Sequence, residues 1–220
     1  MKEIAIVPAR KGSKRLKNKN ILEINGKTLI NISFKTLMDQ FNYLWLNSDC
    51  KNYINYINTK KINFHLRPKN LGGDLISTDD VIKEWIEFNK IEYSSLIYVF
   101  QPTSIFRNIK FLEQFKKEAR KLSFGESLIS VSNIKKLSVM DNDYIKGYNY
   151  KFGERSQDIN KKKYYKENGL GYASHVDTIL ECGLFGRFSK PFISDDYCFD
   201  IDIDTEEDFI NSKTIIENGI

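Results

Sequence analysis

Six cationic side chains, Arg10, Lys11, Lys14, Arg15, Lys17 and Lys19, fall within residues 10–20 with no acid among them. Gly12, Ser13, Asn18 and Asn20 stand between the charges, so the run does not read as one face of a helix. A glycine lets the backbone come close to a ligand, and successive loop N–H groups make a concave anion site. Arg10, Lys14 and Lys19 can spread positive charge over a triphosphate, while Ser13 and Asn20 donate neutral hydrogen bonds to it. Arg15 and Lys17 read as solvated charge. The chemistry suited to such a cradle is phosphate transfer, in which positioning and charge neutralisation dominate. A merely soluble basic loop is the other reading of this stretch taken alone. The spacing is not that of a Walker loop, and no G-x-G-x-x-G occurs, which argues against ordinary kinase, ATPase and dinucleotide sites.

Acids gather at the other end of the chain, as Asp195, Asp196, Asp200, Asp202, Asp204, Glu206, Glu207 and Asp208. Residues 199–203 read as a strand, and residues two apart on a strand share a side. Asp200, Asp202 and Asp204 then line one face and repel each other unless a cation binds. Hard carboxylate oxygens suit magnesium. The same acids also fit an exposed edge strand followed by a capped helix. Two further stretches carry polar groups after expected strands. Arg67 to Thr78 is a loop shaped by Pro68, Gly72 and Gly73, suited to hydrogen-bonding a nucleobase edge. Gln101-Pro102-Thr103-Ser104 offers uncharged donors and acceptors on a stiffened turn, which suits a sugar or a base. His65 and His175 have no zinc-like partner spacing and read as structural.

These residues need a scaffold, and the chain supplies one of ordinary globular composition. It has 220 residues, 41% hydrophobic and 29% charged, with a net charge of +5, enough for one α/β domain. The separated basic and acidic poles suggest a bound anion and a bound cation rather than a nucleic-acid stripe. Three widely spaced cysteines, Cys50, Cys182 and Cys198, make no zinc pattern or disulfide framework, so a reducing cytoplasm is expected. No signal peptide and no membrane-spanning run is expected.

Strands are expected at 4–7, 43–48, 62–66, 95–100, 127–132, 168–173 and 199–203. An extended piece over 21–27 closes on an Asn-Gly turn. Helices are expected over 29–38, after a Ser48 or Asp49 cap, from a Thr78 cap, and over 109–122, 176–180 and 206–217, the last capped by Thr205. This alternation predicts a mostly parallel sheet with helices on both sides. Residues 133–167, with a hairpin-like Tyr144–Tyr148, break the rhythm. They read as an excursion from a single domain, either a lid or a dimerisation arm.

Six collinear segments resemble the CMP-sugar synthetases, closest to the acylneuraminate (sialic, legionaminic or pseudaminic acid) cytidylyltransferases. They are Pro8 to Lys14, Asn18-Lys19-Asn20, Arg67-Pro68, Gln101 to Ser104, Asn168-Gly169 and Asp202 to Thr205. The resemblance implies a three-layer, Rossmann-like nucleotidyltransferase fold, usually dimeric. It implies that CTP and a nine-carbon α-keto acid sugar give a CMP-sugar and pyrophosphate, with magnesium. By position it implies that Arg10, Lys14, Lys19 and Asn20 hold the triphosphate. Arg67, the Ile76 backbone and Thr78 contact cytosine. Gln101, Thr103 and Ser104 help bind substrate, with Gln101 on the sugar. Asn168 and Tyr172 line the sugar pocket, and Asp202 and Asp204 carry the metal. The chain departs from the family pattern at Lys17, Ile105-Phe106 and Leu170-Gly171-Tyr172, and Arg155 and Lys166 are the candidate cations near the pocket. Another keto-acid sugar such as Kdo, or a non-catalytic nucleotide-binding module, remains as an alternative.

Overall fold

Strand β1 (Glu3–Pro8) buries Ile4 and Ile6 on one side and Ala5 and Val7 on the other. A strand apolar on both faces belongs inside a sheet covered on both sides. The computed structural model describes residues 1–134, 138–141, 144–147, 155, 164–194 and 197–219. After β1 come β2 (Glu23–Ile24) and β3 (Lys27–Thr28), then α1 (Leu29–Leu37), β4 (Tyr43–Ser48), β5 (Ile62–Leu66), α2 (Thr78–Phe88) and β6 (Leu96–Val99). The second half holds α3 (Ile109–Ala119), β7 (Glu126–Ile134), β8 (Ser138–Asp141), β9 (Tyr144–Gly147), β10 (Tyr164–His175), α4 (Val176–Cys182), β11 (Phe188–Ile193) and α5 (Glu206–Glu217).

Seven strands form the main sheet in the order β11-β7-β10-β6-β1-β4-β5. All neighbours are parallel except β10, which runs antiparallel to both β6 and β7. Phe34 and Leu37 of α1 and Phe111, Leu112 and Phe115 of α3 pack on the Ala5/Val7 face. Ile82, Trp85 and Ile86 of α2 and Val176 and Ile179 of α4 pack on the Ile4/Ile6 face. The fold is therefore the expected α/β/α sandwich. The Asn25-Gly26 turn between β2 and β3 has positive φ at both residues, 49° and 70°, the geometry a two-residue hairpin turn requires.

Four local expectations are corrected. The segment after β4 is a 3-10 turn over Lys51–Tyr56 without a side-chain cap, not an amphipathic helix. It buries only Tyr53, and its two asparagines favour local bonds over helix. The cap of α2 is Ser77 rather than Thr78, with Asp80 completing a capping box. Residues 199–203 are not a strand. A 3-10 turn over Tyr197–Asp200 leads into irregular chain, because Ile203 leaves the ladder to bury itself against Ile24, Leu29 and Ile105. Strand β11 was not foreseen. Its residues are mostly exposed, and Pro191 sits on a sheet edge where its missing N–H costs little.

The expected excursion over 133–167 is shorter, since β7 extends to Ile134 and β10 begins at Tyr164. Within it β8 and β9 form an antiparallel hairpin. Tyr148, Asp195 and Asp196 lie outside the described residues. Among those described, no helix is long and apolar enough to cross a membrane.

Glu3 ties three elements together beneath the sheet. Its carboxylate accepts from Tyr98 Oη at 2.9 Å and from Arg120 Nε and Nη2 at 2.8 and 2.9 Å. Burial pushes this carboxyl up, but the bonds from Arg120 and Tyr98 outweigh it and hold it below the ordinary range. Stability from a depressed carboxylate is present above its unfolded value and is lost as pH falls through the folded one. We expect Glu3→Gln to lose about 1–3 kcal/mol at neutral pH in urea denaturation. The gap from wild type should close in strong acid.

Candidate active site

The basic loop leaves the sheet where β1 ends. Ala9 N–H still donates to Asn47 O at 2.9 Å, continuing the ladder to β4, and the chain then turns outward at Arg10. Asn20 is buried and donates from Nδ2 to Arg10 O at 2.9 Å, closing the loop on itself. Its Oδ1 finds no partner among the described residues. Asn20 thus fixes the loop with one amide hydrogen while lining the cleft. Ser13 has a buried hydroxyl that finds no partner among the described residues, and it does not line that cleft. A side chain at Gly12 would meet nothing within 4 Å, so no internal crowding requires glycine there.

Carboxylates from distant parts of the chain take up the loop's charge. Arg10 Nη1 and Lys14 Nζ meet the two oxygens of Asp74 at 2.5 and 2.6 Å. Lys19 Nζ and Arg15 Nη2 meet those of Asp204 at 2.7 and 2.6 Å. Arg15 stays solvated as expected, with its side chain 70% exposed, but it also pairs with Asp204. Asp49 Oδ1 accepts the Lys11 N–H at 2.8 Å. Asp49 and Asp74 were missed in the sequence. The only signal was the Gly72-Gly73-Asp74 turn, which allows close approach but names no partner.

A cleft of about 240 Å³ opens beside this loop. Arg10, Lys19 and Asn20 line one side, and Gln101, Pro102 and Thr103 another. Arg67, Asp74, Ile76 and the start of α2 at Ser77 and Thr78 complete it. It lies beyond the carboxyl ends of β1, β5 and β6, where open parallel sheets bind ligands. Arg67 is buried and donates from Nη2 to Asn47 O at 2.9 Å. Burial pulls its guanidinium down to about 10, against the opposing charges of Asp49 and Glu84. Its donors therefore brace the end of β4 as well as edging the cleft.

The Gln101–Ser104 turn rests on β10. Gly169 has φ of 70°, and a side chain there would come within 2.9 Å of Ser104 Oγ. The register of β10 against β7 shifts between Glu167 and Tyr172, so this is a bulge that brings backbone against the turn. Ser104 Oγ points to Asp202 Oδ1 at 3.4 Å, and Ile203 N–H donates to Thr103 O at 3.3 Å. Asn168 faces the other way. Its Nδ2 donates to Ser132 Oγ at 3.0 Å and Ser194 Oγ at 2.8 Å, tying β10 to β7 and to the chain after β11. The Tyr172 hydroxyl donates to Glu167 Oε2 at 3.3 Å, and burial, then Glu167 and Asp202, push it upward.

A second cleft of about 740 Å³ adjoins the first. Arg15, Lys166, Glu167, Asp200, Asp202 and Asp204 are on its walls. No three His, Cys, Asp or Glu among the described residues converge as a metal cluster, so the three-aspartate face is not formed. Magnesium commonly uses one or two carboxylates and completes its shell with substrate phosphates and water. Asp202, whose side chain accepts a long bond from Ser104 at 3.4 Å, and Asp204 fit that donor set.

Arg107 sits beneath both clefts, buried, with Nη1 donating to Gln101 O and Leu170 O at 3.1 Å each. Its Nη2 donates to Ser33 Oγ at 2.7 Å. Burial draws the guanidinium down to about 9, with nearby Asp202 opposing. Arg107→Met would leave two buried carbonyls without this donor. We expect a loss of about 2–4 kcal/mol in urea denaturation, partly recovered in Arg107→Lys. A loss under about 0.5 kcal/mol would mean the guanidinium braces nothing.

The chain is 30% identical to an N-acylneuraminate cytidylyltransferase of Escherichia coli O18:K1:H7, over 97% of this chain and 52% of that protein. It thus spans about half the length of that relative. It is 27% identical to a CMP-N,N'-diacetyllegionaminic acid synthase of Legionella pneumophila, over 99% of this chain and 97% of that one. A solved CMP-2-keto-3-deoxy-manno-octonic acid synthetase complexed with CTP superposes over all of both chains with a TM-score of 0.70, at 15% identity, a likeness of fold. A family model described as cytidylyltransferase matches residues 4–215, nearly the whole described chain including the basic loop, the Gln101 turn and Asp204, and the chain belongs to that family.

Proposed function

We propose that this protein joins CTP to a nine-carbon α-keto acid sugar of the sialic acid type, giving a CMP-sugar and pyrophosphate. The family and the names of its relatives support the reaction class and the sugar type. The observation that carries the reading is the meeting of Lys19 with Asp204 at 2.7 Å. It joins a loop suited to polyphosphate with carboxylates suited to a hard cation, across 185 residues of sequence.

In this reading the triphosphate lies along Arg10, Lys14 and Lys19. Cytosine lies toward Arg67, the Ile76 backbone and Thr78. The sugar sits on the Gln101, Thr103 and Ser104 side near Tyr172, with Asn168 bracing that wall from behind. The sugar's anomeric hydroxyl oxygen bonds to the α-phosphorus of CTP as the bond from that phosphorus to its bridging oxygen breaks. Pyrophosphate leaves with the electron pair, and the hydroxyl proton is released. Arg10 and Lys14 take the charge growing on pyrophosphate, and Lys19 stands by the α-phosphate. Asp202 and Asp204 would hold magnesium, which when bound neutralises phosphate charge and lowers the pKa of the attacking hydroxyl. The reading includes a homodimer in the cytoplasm.

The test is pyrophosphate release from CTP with a panel of sialic, legionaminic and pseudaminic acids and Kdo. Release with a nine-carbon acid is expected; release with Kdo alone would replace the sugar assignment. Asp202→Asn should lower kcat by roughly 10²–10³-fold. Arg10→Ala should raise the CTP KM about tenfold or more. Full turnover by Asp202→Asn would remove the metal role, and an unchanged KM in Arg10→Ala would remove the cradle.

A further inference from the structure

Asp74 holds two cations at once, Arg10 at 2.5 Å and Lys14 at 2.6 Å, one on each carboxylate oxygen. These are the cations that the proposed function gives to the departing pyrophosphate, and Asp74 itself lines the nucleotide cleft. A carboxylate gripping two cations through separate oxygens imitates, in charge and shape, the terminal oxygens of a phosphate.

The chain around Asp74 is anchored at both ends but not in the middle. A side chain at Gly72 would lie 2.8 Å from Asp49 Oδ2, so the backbone is pressed against Asp49, which itself holds the Lys11 N–H. On the far side Ser77 caps α2. Between these anchors Leu75 is 100% exposed and adds no apolar packing, while the Ile76 N–H closes the turn onto Gly73 O at 3.4 Å. Its tie to the basic loop is the pair of ionic contacts, and the Asp74 side chain remains 36% accessible to solvent. An incoming anion can reach the same cations.

We propose that Asp74 is a built-in surrogate for the substrate's terminal phosphates. It holds Arg10 and Lys14 in binding geometry between turnovers, gives way when the triphosphate enters, and returns as pyrophosphate leaves. This rests on the function proposed above. It makes Asp74 a positioning residue that competes with CTP and helps expel product. Exposed ion pairs each change an equilibrium by only about a few-fold, so several phosphate charges can displace it.

The test compares wild type with Asp74→Asn, an exposed change that spares the core. Calorimetry measures affinity for CTP and for inorganic tripolyphosphate, and kinetics measures inhibition by pyrophosphate. All three ligands should bind about three- to tenfold tighter to the variant. If Asp74 were instead a permanent brace for Arg10, the variant would bind all three more weakly, and that result or unchanged affinity overturns the proposal. Tripolyphosphate needs neither the base nor the sugar site. Tighter tripolyphosphate binding without turnover of any sugar would keep this inference and remove the proposed reaction. Turnover with unchanged affinities would do the reverse.

Discussion

Six like charges within residues 10–20 repel one another, and the shape of the site depends on how that repulsion is contained. The fold contains it with carboxylates brought from far along the chain. Asp204 is the most consequential of these, because it grips Lys19 and Arg15 together and lies 185 residues from Lys19. Such a pair has meaning only in the folded state. In the unfolded chain the two ends meet rarely, so the cradle and the acidic segment form together or not at all. Unlike an isolated surface ion pair, this one is half-buried and part of a network, the setting in which ionic contacts contribute most.

What sets Asp202 and Asp204 is an apolar residue. Ile203 is fully buried between them, and its N–H meets Thr103 O at 3.3 Å. Driving one isoleucine into the core turns its two neighbours toward the solvent-facing clefts. On the opposite side, Arg107 carries out an analogous task with hydrogen bonds in place of hydrophobic burial. A guanidinium is one of few groups that can satisfy carbonyls from a turn and a strand in one plane. Burial lowers the affinity of this guanidinium for its proton, and the nearby charge of Asp202 opposes that effect.

Much of this was legible in the residues. The doubly apolar β1, the Asn25-Gly26 turn and the Thr205 cap are local signals, and each is found where its chemistry demands. Residues 199–203 were misread because an alternation of Asp and Ile is the pattern of a half-buried strand. Its cause here is a single anchoring isoleucine at the end of irregular chain. Asn168 illustrates a different limit. Its identity in the family motif was visible, but which side its amide faces depends on Ser132 and Ser194, whose approach is set by strands β7 and β11. Ion pairs such as Arg10 with Asp74 have no periodicity at all, and only tertiary geometry reveals them.

The reversed direction of β10 has one more consequence. Strand β7 runs parallel to β6, so it ends at the same rim as β1, β4 and β5, and β10 starts there before running back. Whatever stretch of chain joins them must depart from and rejoin the sheet beside Glu167 and Asp202. The architecture thus sets the crossing between β7 and β10 apart from the loop that follows β1, so the two regions of the rim are built from separate parts of the chain.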